Sequence, residues 1–320
     1  MSFKIAQVDY DYTDNKLEKG IIEKAGGEIK SGHLVNTEDV YDFAKDCDAI
    51  MCQYVKITRE LFERLPNIKV VSRYGIGVDN IDVEAAKDHH VFVVHNPVYC
   101  IEEVSNHALA LIFSQYRQIN QGNYQVKHGI WDFNKLYPIP AAENYTIGIV
   151  GLGHIGTRVA EKLKIFGFNL IGYDPYVNKE YFDKTGVKKV TLEQLMATAD
   201  CVTIHCALTE ETTKLIGSQE IDLMKTTSCL VNTARGPVVD FEALLSALEK
   251  KTIRGAGLDV LPEEPPQNYE RIAQIPSLEV TPHLAFYSDT SLDVLRTSVT
   301  EQVIGVVKTG KAPQYNAYKL

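Results

Sequence analysis

Short apolar runs alternate with longer amphipathic stretches along nearly the whole chain, and no other feature restricts its fold as much. In the first third, runs at residues 4–8, 49–53, 70–73 and 91–94 have strand length, and the stretches between them have helical character. Strands that alternate with helices are joined by crossovers, the pattern of a parallel sheet with helices packed on it. The expected fold class is α/β. At 320 residues the chain exceeds what one hydrophobic core usually organises, so two domains are expected.

Ile101, Val104, Ala108, Leu111, Ile112 and Ile119 recur at helical spacing, which predicts one helix over 101–126, long enough to bridge two domains. A boundary is therefore set near Cys100. Residues 129–143, with Pro138 and Pro140, break the periodicity. A second series then opens at Tyr145, with strands expected at 147–150, 170–173, 201–205, 230–233, 255–258 and 278–281. The last helix, over 290–308, places Leu292, Leu295, Val299 and Val306 on one face and is expected to return to the first domain. The predicted division is 1–100 with 286–320, against 101–285.

The second series carries a nucleotide signature. Gly151-Leu152-Gly153-His154-Ile155-Gly156 follows the apolar strand 147–150 and opens a helix with Val159 and Leu163 among its apolar positions. Glycines there let the backbone turn tightly and approach a pyrophosphate, while the helix N-terminus offers free N–H groups and partial positive charge. Asp174 ends the next strand, 18 residues after Gly156, near the spacing of about 20 expected for an acid that binds ribose hydroxyls. A carboxylate there favours NAD over NADP, whose 2′-phosphate it would repel.

Composition excludes other classes. Lys and Arg total 33 against 42 Asp and Glu, and a net charge of −9 opposes binding to a phosphate backbone. Nucleic acid is not expected as a partner. No apolar stretch approaches the roughly 20 residues of a membrane helix, and the N-terminus lacks the charged, apolar and small-residue regions of a signal peptide. Neither membrane association nor export is expected, which leaves the cytoplasm. Cys47, Cys52, Cys100, Cys201, Cys206 and Cys229 form no C-x-x-C pair and read as reduced packing residues, and no metal site is expected.

Nucleotide binding does not name a reaction. Reduction of a 2-oxo acid by hydride leaves negative charge on the former carbonyl oxygen, so it needs a proton donor and a cation for the carboxylate. Histidine and arginine suit these tasks. Arg235, Glu264 and His283 each closely follow an expected strand of the second series, where ligands bind in open α/β sheets. Taken singly, Arg235 also suits a turn, Glu264 a solvated loop and His283 a structural position.

Together these residues and their surroundings resemble the D-isomer-specific 2-hydroxyacid dehydrogenase family over nearly the full chain. The resemblance rests on Gly75-Ile76-Gly77-Val78-Asp79-Asn80-Ile81-Asp82, the Gly151–Gly156 loop, Val231-Asn232-Thr233-Ala234-Arg235-Gly236, Gly257-Leu258-Asp259-Val260 with Glu263-Glu264-Pro265, and Thr281-Pro282-His283. It implies a Rossmann-type NAD domain beside a flavodoxin-like substrate domain, with the cleft between them as the site. It assigns His283 as acid or base on the substrate oxygen, Glu264 as its charge partner and Arg235 as substrate clamp. It places Asp259 near the nicotinamide amide, the backbone N–H groups around Ile76 and Gly77 on the substrate carboxylate, and Cys206, Ala207, Thr212, Thr233 and Ala234 along the cofactor. It further implies a homodimer paired through the cofactor domain.

Three positions depart from the family pattern: Ala207 for proline, Asn106 for glutamate before His107, and His154 for arginine. They bear on cofactor packing more than on the reaction. The stretch His283-Leu284-Ala285-Phe286-Tyr287-Ser288, with Gly172-Tyr173-Asp174-Pro175-Tyr176, is similar to the branch containing the C-terminal-binding proteins. That likeness implies an aromatic pocket wall from Phe286 or Tyr287, joined by Tyr54 and Tyr99, and a substrate with an apolar or aromatic side chain. A dehydrogenase of the 3-phosphoglycerate or hydroxypyruvate/glyoxylate type is the alternative among enzymes. Formate dehydrogenase is disfavoured, because that branch carries glutamine where Glu264 stands. From another class, an NAD(H)-sensing corepressor-like protein remains open.

Overall fold

The computed structural model describes residues 2–267 and 269–318. The chain divides into two compact units, Met1–Cys100 with Ser288–Leu320, and Ile101–Tyr287.

The first unit holds strands β1 (Lys4–Gln7), β2 (Glu28–Ser31), β3 (Ala49–Cys52), β4 (Val70–Arg73) and β5 (Phe92–Val94), all parallel, in the order β2-β1-β3-β4-β5. The chain steps from β1 to one side and then crosses to the other, the flavodoxin-like doubly wound order. Both faces of β3 are buried, so Ala49-Ile50-Met51-Cys52 reads as an unbroken apolar run. On one face, Ile50, Val71 and Val93 pack with Val40, Leu61 and Phe62. On the other, Ile5, Met51 and Val70 pack with Leu295, Val299, Val303 and Val306 of the Asp289–Thr309 helix. The expected set lacked β2. Its sequence Glu-Ile-Lys-Ser has no apolar run because it lies at the sheet edge, largely exposed.

The second unit holds β6 (Thr146–Val150), β7 (Asn169–Tyr173), β8 (Lys188–Lys189), β9 (Cys201–Ile204), β10 (Cys229–Asn232), β11 (Gly255–Leu258) and β12 (Leu278–Val280), in the order β12-β11-β10-β9-β6-β7-β8. Every pairing is parallel. Strand order reverses at β6, so the Gly151–Gly156 loop leaves the sheet at the topological switch point, where ligands bind in such sheets. The expectation lacked β8 as well, an exposed Lys-Lys pair on the opposite edge.

The single helix expected over 101–126 is two helices, Ile101–Arg117 and Ile119–Lys127. They break at Gln118, which is buried and left-handed with φ 53°. Its amide explains the break: Nε2 donates to Tyr137 O at 2.7 Å, and Oε1 accepts from Tyr137 N at 2.9 Å. Tyr116 OH donates to Pro140 O nearby. The first helix buries Val104, Ala108, Leu111 and Ile112, whereas the second buries nothing and leaves Ile119 exposed. A side chain that captures a distant backbone segment has no signature in apolar periodicity.

No helix among the described residues is long and apolar enough to cross a membrane, and no group of three His, Cys, Asp or Glu there could hold a metal ion. The six cysteines are free thiols.

The C-terminal helix is tied to its unit by a buried ion pair as well as by apolar contact. Arg296 Nη2 and Nε lie 2.6 and 2.8 Å from the two oxygens of the fully buried Glu18, and Nη2 also donates to Asp14 O at 2.8 Å. Removing one member leaves the other charge buried and unmatched, which costs about 3–5 kcal/mol. Glu18→Ala is expected to lower the unfolding free energy by that amount in urea titration, and Glu18→Leu with Arg296→Met to recover most of it. A loss under 1 kcal/mol for the single variant would show that water reaches the guanidinium.

Candidate active site

The glycine loop is shaped by close approach of backbone to backbone. Gly151 has φ 90°, and a Cβ there would lie 2.6 Å from Cys206 N. At Gly156 a Cβ would lie 2.0 Å from Gly151 O, whereas at Gly153 it would meet nothing within 4 Å. The loop is thus tight on the sheet side and open on the other. The His154–Ile165 helix begins at Gly153 without a side-chain cap, so its first N–H groups face that opening. His154 is exposed and Ile155 packs partly into the core.

Asp174 follows β7. Its Oδ2 accepts from Leu152 N in the glycine loop and its Oδ1 from Tyr176 N, both at 2.9 Å. Each oxygen keeps a lone pair for a further donor. Beyond β9, Ala207 O accepts from the Thr212 hydroxyl at 2.7 Å, folding the loop that starts at Cys206. Two buried polar atoms at the ends of neighbouring strands, His205 Nδ1 after β9 and Thr233 Oγ1 after β10, have no protein partner among the described residues. Burial lowers the pKa of His205 to about 3 and keeps it neutral. An open, uncapped helix start, a carboxylate at the next strand end and orphaned polar atoms beside them fit a dinucleotide.

Arg235, Glu264 and His283 follow β10, β11 and β12, three adjacent strands. The Asn232 side chain shapes the turn before Arg235, accepting from Ala234 N and donating to Arg235 O, both at 2.9 Å. Gly236 lets this turn reach the next loop, since a Cβ there would lie 2.0 Å from the Leu261 carbonyl carbon. In that loop Leu261 N donates to Glu264 Oε1 at 2.9 Å. Glu264 Oε2 lies 2.7 Å from His283 Nδ1. Burial pushes the Glu264 carboxyl up, but the hydrogen bond and charge of His283, the Leu261 N–H and the charge of Arg235 outweigh it, so the net shift is downward. Glu264 thus feels both His283 and Arg235.

With Nδ1–H directed to the carboxylate, Nε2 is the nitrogen left for a ligand. An imidazole oriented by a carboxylate can pass a proton, and a neighbouring guanidinium can hold an anion. His283 itself is left-handed, with φ 50°, a conformation that persists in a non-glycine residue only where its surroundings impose it.

Asp259 supplies much of that imposition. It is 1% exposed, and its carboxylate accepts from Thr281 Oγ1 at 2.5 Å, Leu284 N at 3.0 Å and Ala285 N at 2.9 Å. Its carbonyl accepts from His283 N at 2.8 Å. Within this unit Asp259 is thus bound to the turn that carries His283. Phe286 stands edge-on to the His283 ring with centroids 6.1 Å apart.

The remaining expected positions lie in the first unit. In the loop after β4, Gly75 O accepts from Asn96 N at 3.0 Å, Ile76 O faces His95 Nδ1 at 2.6 Å and Gly77 O accepts from Arg73 Nη1 at 3.0 Å. The carbonyls of Gly75, Ile76 and Gly77 are thus tied back. Tyr54 OH donates to Asp11 at 2.5 Å, and Tyr99 packs on an apolar cluster with Tyr10 and Tyr12.

Sequence reasoning left out Asn232, His205 and His107. His205 sat inside a run read only as a strand end, and Asn232 inside a stretch quoted for the family resemblance without a role of its own. His107 was noted merely as the neighbour of Asn106, whose Oδ1 accepts from Lys162 Nζ at 2.6 Å.

A family model described as "D-isomer specific 2-hydroxyacid dehydrogenase, NAD binding domain" matches residues 109–285. The D-3-phosphoglycerate dehydrogenase of Methanocaldococcus jannaschii is 36% identical over 290 residues, 90% of this chain and 55% of that protein. The glyoxylate reductase of Korarchaeum cryptofilum is 34% identical over 279 residues, 86% of this chain and 83% of that protein. The chain spans about half the length of the curated phosphoglycerate dehydrogenases it matches. Among solved structures, D-lactate dehydrogenase from Aquifex aeolicus complexed with NAD and lactic acid has a TM-score of 0.86 at 27% identity, with 96% of each chain covered. The chain belongs to the D-isomer specific 2-hydroxyacid dehydrogenase family, with its NAD-binding domain in the Ile101–Tyr287 unit.

Proposed function

We propose that the protein reduces a small 2-oxo acid to the D-2-hydroxy acid with NADH, using His283, Glu264 and Arg235. The observation that carries this reading is the 2.7 Å contact of His283 Nδ1 with Glu264 at the ends of adjacent strands. Bound NADH supplies the hydride. His283 Nε2 delivers a proton to the substrate oxygen as negative charge develops there, and takes it back in the reverse direction. Glu264 holds the ring by Nδ1–H and so fixes its orientation. Arg235 clamps the substrate carboxylate and the developing charge. Asp174 favours NAD over NADP by its negative charge.

Phe286 beside His283 favours a substrate with an apolar or aromatic side chain. The names of the relatives favour 3-phosphohydroxypyruvate or glyoxylate instead. The position of Glu264 against His283 favours an enzyme over a protein that only senses cofactor state. We also read the protein as a homodimer paired through its NAD-binding unit. Ile119, Val126, Trp131 and Phe133 lie close together in the chain there and are all exposed, the last two at 90% and 82%, and clustered exposed apolar side chains mark interfaces.

Four outcomes test this reading. In a panel of phenylpyruvate, 2-oxoisocaproate, pyruvate, glyoxylate, hydroxypyruvate and 3-phosphohydroxypyruvate followed by NADH absorbance, the apolar acids are expected to have the highest kcat/KM. His283→Gln is expected to lower turnover by about 10³-fold or more with NADH affinity kept. Preference for the phosphorylated acid would discard the pocket assignment, and an unaltered His283→Gln rate would discard the mechanism. For Glu264, the native carboxyl lies below its ordinary value of 4.5, so the stability it contributes is present above that value and fades as pH falls through the lower native one. The difference in unfolding free energy between wild type and Glu264→Gln is expected to shrink in that window, and growth on acidification would contradict the pairing. Light scattering is expected to give twice the chain mass, and Trp131→Ser with Phe133→Ser to give the monomer; a monomeric wild type ends the dimer reading.

A further inference from the structure

The Asp259 carboxylate that holds the His283 turn has itself a partner outside the strand ends. His107 lies on the Ile101–Arg117 helix with its side chain 17% exposed, and its Nε2 stands 2.9 Å from Thr281 Oγ1 and 3.5 Å from Asp259 Oδ1. Thr281 gives its hydroxyl proton to Asp259 Oδ1. It therefore has only lone pairs to offer His107, and Nε2 must carry a hydrogen. Among the described residues His107 is the only basic side chain within 4.0 Å of Asp259. A carboxylate so thoroughly removed from water needs every donor and any counter-charge within reach.

We propose that His107 is a positioning residue for the His283–Glu264 pair: through Thr281 and Asp259 it holds the left-handed turn that aims the His283 imidazole at Glu264. The proposal rests on the reading of His283 as the proton-transfer group, and it adds a residue from a different element. Helix and turn are joined by one short path. The Nε2–H of His107 fixes the Thr281 hydroxyl, the hydroxyl fixes Asp259 Oδ1, and the two oxygens of Asp259 fix the N–H groups of Leu284 and Ala285. Asp259 O fixes His283 N directly. Without the His107 donor, the Thr281 hydroxyl is held by Asp259 alone and Asp259 loses its nearest basic side chain, so the turn populates other conformations. The fraction of molecules with His283 against Glu264 falls. Most of the cofactor grip does not follow, because the glycine loop after β6 and Asp174 after β7 share none of these bonds and only Asp259, which the family resemblance sets near the nicotinamide amide, belongs to the path.

The test separates positioning from mere packing. His107→Leu keeps a similar volume and removes the donor, whereas His107→Gln keeps an N–H near the place of Nε2. His107→Leu is expected to lower kcat about tenfold or more with the dissociation constant of NADH within about twofold, and His107→Gln to restore kcat to within about threefold of wild type. Thr281→Val and Thr281→Ser are expected to divide in the same way, which covers the case that His107→Leu does not fold. In protein labelled with ¹⁵N-histidine, a downfield Nδ1–H resonance assigned by its absence in His283→Gln is expected in wild type and His107→Gln and lost in His107→Leu. That signal reads the His283–Glu264 geometry without turnover, so it decides the proposal even if no 2-oxo acid is reduced. Wild-type kcat and an intact resonance in His107→Leu would overturn it, as would equal losses in the leucine and glutamine variants.

Discussion

Asp259 lies at the end of β11 with almost no access to water, and its two oxygens and its carbonyl receive the backbone of residues 283–285 and the hydroxyl of Thr281. The geometry of the candidate site depends on this one group more than on any contact between the reacting residues. The 2.7 Å approach of His283 to Glu264 requires the histidine backbone in a left-handed conformation. Such a conformation is retained where several bonds demand it together. Glu264 is fixed in turn by Leu261 N, and the Leu261 segment sits against Gly236 with no room for a Cβ between them. The three candidate catalytic side chains therefore stand on loops locked to one another by backbone contact, the kind of preorganisation that makes electrostatic stabilisation effective.

The sequence made the class of fold and the nucleotide loop legible because both are written in local terms. An unbroken apolar run such as residues 49–52 announces a strand buried on both faces, and glycines at 151, 153 and 156 after such a run announce a close backbone approach. The edge strands β2 and β8 were illegible for the converse reason: a strand with one neighbour and a wet face needs no apolar residues. The break at Gln118 was also illegible. Its cause is a pair of amide hydrogen bonds to a residue 19 positions away, and periodicity has no term for that.

The site residues divide along the same line. Arg235, Glu264 and His283 are charged or titratable groups directly after strands, and chemistry alone selects them. Asn232 and Thr281 have no such mark. Their side chains act on backbone N–H and carbonyl groups or on another side chain, so their value appears only when the neighbouring strand is in place. Resemblance implied for Asp259 a place near the cofactor, and local reasoning had no means to give it the role the structure shows, holding the backbone of the His283 turn.

Both sheets use one device to fix what their strand ends present. Asp9, after β1, accepts the N–H groups of Gln53, Tyr54 and Val55 that follow the adjacent β3. Asp174, after β7, accepts Leu152 N from the loop after the adjacent β6, and Asp259, after β11, accepts two N–H groups from the turn after the adjacent β12. The physical reason is common to all three. At the C-terminal end of a parallel sheet the ladder stops, the loops expose N–H groups, and a short carboxylate one strand away reaches them without leaving its own backbone position. The number of donors taken then decides what each acid can still do. Asp9 and Asp259, each with three donors and nearly buried, are bound to structure. Asp174, with one donor on each oxygen and partial exposure, keeps acceptor capacity for a ligand. The same residue type at the same place in the fold thus serves as a fastener or as a binding group, according to how many backbone hydrogens its neighbour strand leaves unpaired.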